Sequence, residues 1–131
     1  MSSADQWRTR LRVDLTAAMK ARDADAVAAL RGAMAAIDNA EAVALPDAAI
    51  PADGGIAGAR AGVGSTEVMR RDLAAAEVRS LVMAQIGDRD TAADWYAAHG
   101  HPERAERLRR EAVALRTAMA GMPEMDGALD S

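Results

Sequence analysis

Alanine supplies 34 of the chain's apolar side chains, against 21 from leucine, isoleucine and valine together and none from phenylalanine. A core of that kind excludes water only where backbones come close enough for methyl groups to meet. β-Sheets are poorly served by it, because they are stabilised by branched and aromatic pairs across strands. Helices are well served, since alanine is the best helix former and loses no rotamer entropy on ordering. Few large apolar residues also mark disordered chains, but disorder of that kind needs a high net charge, and here it is −4. The expectation is an all-α fold of thin helices packed through alanine.

At 131 residues the chain suits a single domain. There is no cysteine, which removes disulfides, thiolate metal sites and a cysteine nucleophile. The opening MSSADQWRTRLR lacks an apolar signal region, and no window approaches the ~18 apolar residues of a spanning helix. A soluble, cytoplasmic protein without a membrane partner is therefore expected. Positive charge comes from fifteen arginines and one lysine, Lys20.

Periodicity divides the chain. Ser3 and Gln6 have the spacing of a capping box, and Trp7, Leu11, Leu15 and Ala18 follow as a first helical stripe. Lys20 falls opposite that stripe, facing water near the helix C-terminus. Asp23 and Asp25 offer a new N-cap and acidic first turn, and Val27, Leu30, Met34, Ile37 and Leu45 form a second stripe. An antiparallel helical hairpin over 3–45 results. Residues 46–64 hold two prolines and five glycines and read as a flexible Gly/Pro/Ala-rich loop. Ser65 and Thr66 restart order, and Val78, Val82, Ile86, Ala93 and Tyr96 carry a third stripe to a stop at Gly100, with a kink or break expected at Gly87. Pro102 opens a last helix through Ala105, Leu108, Ala112, Leu115 and Met119. Two further packed helices thus occupy 65–120, completing one domain over 3–120, and 121–131 is expected to fray.

Leu11, Asp14, Leu15, Ala18, Met19, Lys20, Asp23, Leu30, Arg31, Ile37, Asn39, Ala40 and Glu41 resemble the opening helical hairpin of the GatB/YqeY-like family. Arg89, Tyr96, Gly100, Ala105, Leu108, Glu111 and Leu115 resemble its later pattern of an arginine, an aromatic, a glycine and a helix with a spaced glutamate, and STEVMRRDL is similar to a segment of its actinobacterial members. The likeness spans most of 11–119. It departs where longer members continue into a C-terminal three-helix bundle, and where a common family arginine is His101. The resemblance implies an all-helical fold, a family lysine at Lys20, and a link to transfer RNA or to tRNA-dependent amidotransferases.

The chemistry-bearing residues divide by phase. Lys20 and Arg31, with Arg104, Arg107 and Arg110 on the last helix, are candidate contacts for RNA phosphates or a partner. Against RNA, Glu103 precedes Arg107 by four residues and Glu106 precedes Arg110 by four, and residues 66–119 hold nine acids and nine arginines. Glu41 and Arg89 fall inside apolar stripes, so each needs a partner. They are expected to form a buried polar contact with one another, with Arg8 or Arg12 in reserve for Glu41. His99 and His101 flank a glycine with no third ligand in reach, so no metal is expected. No nucleophile triad or phosphate-cradling glycine motif is present, and neither a catalytic residue nor a cofactor is assigned. The expected function is a non-catalytic binding or adaptor module that uses an open helix face for a protein partner or self-association. The alternative is a tRNA-binding or amidotransferase accessory protein.

Overall fold

The structure, a computed structural model, describes residues 2–44 and 73–123. Leu45, the expected loop over 46–64, the restart at Ser65 and Thr66, and residues 124–131 lie outside the described residues. Four helices are described, α1 (Ser3–Lys20), α2 (Ala24–Ala44), α3 (Ala75–Ala98) and α4 (Pro102–Ala120), with no strand among the described residues. The fold is all-α.

The first cap sits one residue earlier than its spacing suggests. Ser2, not Ser3, is the N-cap, and its hydroxyl accepts from the Asp5 amide at 3.1 Å. Gln6 takes no part in a capping box: its side-chain oxygen is buried without a hydrogen-bond partner. Asp23 caps α2 as expected, Oδ1 accepting from the Ala26 amide at 3.1 Å. Pro102 opens α4, where its missing N–H costs nothing.

Two short turns join the helices in antiparallel pairs, α1 with α2 and α3 with α4. α2 touches the other three helices, α3 and α4 share the longest contact, and α1 and α4 meet least. The interior follows from the alanines. Ala29 and Ala33 of α2 and Ala112 and Ala118 of α4 are fully buried beside Trp7, Leu11, Leu30, Ile37, Val78, Val82 and Leu115. Four of the predicted third-stripe residues, Val78, Val82, Ile86 and Ala93, are buried, whereas Tyr96 is only half-buried.

One expectation fails. α3 runs unbroken through Gly87, because its buried face continues on both sides and the ~1 kcal/mol glycine penalty is small beside that burial. Of the stretch 121–131 expected to fray, 124–131 lies outside the described residues, and Gly121 directly follows α4. Its amide bonds back to the Thr117 and Ala118 carbonyls, and Met122 is buried in the core.

Candidate functional site

α1 and α4 run antiparallel with a gap between them, floored by α2. The resulting groove has a volume of about 520 Å³ and is open along one side. Its floor is apolar, made by Ala18, Ala26 and Leu30. Ala17 and Asp14 of α1 form one lip, and Val113, Ala114 and Thr117 of α4 the other. Val113 is 56% exposed, as is Val13 at 59% one turn before Ala17, so a large apolar side chain stands in water on each side.

Charge is concentrated at the ends of this groove. At one end Arg10 reaches across Gly121, where an added Cβ would lie 2.5 Å from its guanidinium carbon, so only glycine admits that approach. Its Nη2 pairs with Asp14 at 3.2 Å, while its Nε is buried with no hydrogen-bond partner. At the other end Arg110 pairs with Asp25 at 2.8 Å, and that bond holds its guanidinium above the usual arginine range. Lys20 at the end of α1 and Arg22 in the turn after it are exposed and without an ion pair among the described residues, and neither lines the groove. The acids here are already engaged, Asp14 with Arg10, Asp25 with Arg110 and Asp23 with the α2 cap.

A larger groove of about 840 Å³ lies between α2 and α3, lined by Ala36, Asn39, Ala40, Val43, Leu73 and Leu81 among others. Its two sides are joined by residues 45–72, outside the described residues. The lining residues named for both grooves lie among the described residues.

The buried polar contacts differ from those expected. Glu41 is 7% exposed, but its described partner is Arg8 of α1 and not Arg89. Arg8 also bonds Asp38 at 2.7 Å, and the hydrogen bond to Glu41 contributes most to raising the guanidinium above its ordinary range. Arg89 instead bonds Glu111 of α4 at 2.9 Å and Gln85 at 2.9 Å, lying against Gly32 of α2, where an added Cβ would sit 3.0 Å from its Nη2. Phase showed that both charges faced inward. It could not show which helix each would reach, since an arginine stem spans several ångströms over apolar surface. Arg8 is the reserve partner that the sequence offers for Glu41; the phase of α3 does not single out Glu111, although it stands in the later motif with Arg89.

The remaining sequence candidates sit on two helices, Arg31 on α2 and Arg104 and Arg107 on α4. Arg31 and Arg107 are exposed without ion pairs among the described residues. Arg107 does not pair with Glu103, although Arg110 does approach Glu106 at 3.9 Å. Arg104 lies over the Tyr96 ring at 4.8 Å. His99 stacks on Trp95 with centroids 3.9 Å apart, and His101 meets the edge of Tyr96. No group of three or more metal-ligating side chains gathers among the described residues, and no described helix is long and apolar enough to cross a membrane. No family model, curated protein or solved structure matches this chain.

Proposed function

We propose that this protein is a non-catalytic helical binding module of the cytoplasm that docks a protein partner along the α1/α4 groove. The observation that carries the proposal is the open apolar channel between the two least-contacting helices, with Val13 and Val113 exposed beside it. Apolar surface held apart in this way gains free energy when another element covers it. The resemblance of the two residue blocks to the GatB/YqeY-like family is consistent with a helical adaptor.

The transfer-RNA reading draws on that resemblance and on the exposed Lys20, Arg31 and Arg107. It is the weaker one, because Arg8, Arg89, Arg109, Arg110 and Arg116 are engaged with acids of the same chain. Six phosphate contacts would make RNA binding fall ~10³-fold or more between 50 and 200 mM salt.

Affinity purification with the unmodified protein and with Ala17→Arg tests the proposal. Ala17 is exposed and arginine is a good helix former, so this variant blocks the groove without disturbing the core. A partner recovered by the first and lost by the second is expected. Absence of any such partner, together with salt-sensitive retention of total transfer RNA by both proteins on a filter, would overturn the docking function in favour of RNA.

A further inference from the structure

Gly100 and Gly121 both follow helix ends, but only the first is required by the backbone. Gly100 has a φ of 85°. Gly121, the C-cap of α4, has φ −83° and ψ −7°, an ordinary conformation in which alanine is preferred. What position 121 lacks is room. An added Cβ would lie 2.5 Å from Cζ of Arg10, 2.7 Å from its Nη2 and 2.8 Å from its Nη1, so the guanidinium group lies across the bare Cα.

The place of that group along α4 gives it a task. A helix C-terminus carries partial negative charge on its last carbonyls, and the last turn of α4 has no basic residue of its own. Arg10 comes from α1 and stands at that end. Asp14 of its own helix holds Nη2 at 3.2 Å, while Nε is buried without a hydrogen-bond partner, so on the α4 side the group is kept in place by the shape of Gly121 and the charge of the helix end. α1 and α4 are the described helices that meet least, and no ion pair among the described residues joins them. Directly after the contact the chain enters the core at Met122.

We infer that Arg10 and Gly121 form a latch, in which α1 supplies the cation that ends α4 and the contact holds the two helices at the spacing of the groove that Arg10 lines. The inference goes beyond the docking function and does not depend on it, since it concerns the spacing of α1 and α4 in the chain alone. A larger side chain at position 121 must push the guanidinium aside. The arginine stem is flexible enough to yield, so the consequence is a lost tie between two helices rather than a broken helix.

The chain has no cysteine, so spin labels can be attached at Val13→Cys on α1 and Thr117→Cys on α4, both exposed positions, and the distance between them read by dipolar spectroscopy in the full chain. One narrow distribution is expected. It should broaden and move to longer distances with Gly121→Ala, with Arg10→Ala, and with Arg10→Met, which keeps much of the stem but not the charge. Thermal melts test the same contact through a change of sign. Gly121→Ala should lower the melting temperature while Arg10 is present and raise it in the Arg10→Ala background, where the helix preference of alanine acts alone. Circular dichroism should show the helix content kept in every variant. Unchanged distances in Gly121→Ala, or the same shift of melting temperature in both backgrounds, would overturn the latch. An Arg10→Met chain that keeps the distances and melting temperature of the unmodified one would overturn the part given to the cation.

Discussion

The α1–α2 and α3–α4 hairpins reach the same turn by different chemistry. Each first helix ends with a residue of positive φ, and in each the next amide bonds back five residues, Asp23 to Ala18 at 2.9 Å and His101 to Tyr96 at 2.8 Å. In the second hairpin the positive φ of 85° belongs to Gly100, which adopts it at no steric cost. In the first it belongs to Arg22 at 59°, where a Cβ crowds the carbonyl. The difference shows where each turn gets its order. The α1–α2 turn tolerates a strained residue because Asp23, directly after it, caps α2. The α3–α4 turn has no side-chain cap and relies on Gly100 and Pro102, with Tyr96, His101 and Arg104 packed around them.

Each hairpin is also tied across its helices by an arginine and a glutamate, and these ties give the largest expected effects. Glu41 and Arg8 are the more buried pair, with side chains 9% and 16% exposed. Glu41→Ala should cost ~3 kcal/mol, about 10 °C in a melt, because it leaves the Arg8 guanidinium without its innermost partner. Arg8→Ala should cost a similar amount, and the double variant clearly less than the sum. Additive losses would mean that the bridge contributes nothing as a pair.

The Arg89–Glu111 tie of the second hairpin is more open, 17% exposed on both sides, and Gln85 shares the guanidinium. Arg89→Ala should therefore cost less, ~1–2 kcal/mol, by chemical denaturation. Combined with Glu41→Ala it should be additive to within about 0.5 kcal/mol, as the two residues share no partner among those described. A coupling well above that would link the two hairpins through their charges and erase the contrast.

Gly100→Ala comes next. A Cβ there meets nothing within 4 Å, so its whole cost is the backbone conformation, ~1–2 kcal/mol. No change in stability would show that the second turn depends on its aromatic packing rather than on glycine.

The legibility of these features follows what periodicity can and cannot encode. Stripes such as Trp7, Leu11 and Ala18, or Val78, Val82 and Ile86, were readable because a helix has a fixed period and one buried face. The exposure of Lys20 followed from the same phase. The cap moved from Ser3 to Ser2 because adjacent serines offer the same hydroxyl, and only the hydrogen bond selects between them. The partners of Glu41 and Arg89 were hidden for a different reason. Phase assigns a direction within one helix, while pairing depends on how far helices slide past one another. The groove was hidden too, since Val13 and Val113 read as incidental surface residues until α1 and α4 are seen to stand apart.

Arg22 offers the smallest and most discriminating test of the comparison. Replacing it with glycine removes the crowding at φ 59°, a gain of ~1 kcal/mol or more, but glycine frees the unfolded chain, which takes back ~0.5–1 kcal/mol. The expected result is a gain of about 0.5 kcal/mol in urea titrations. That is opposite in sign to Gly100→Ala and smaller in size, as two turns of one backbone pattern require. A clear loss on Arg22→Gly would mean that the arginine side chain itself holds the first turn. The left-handed residue would then be a contributor there rather than a strain that Asp23 offsets.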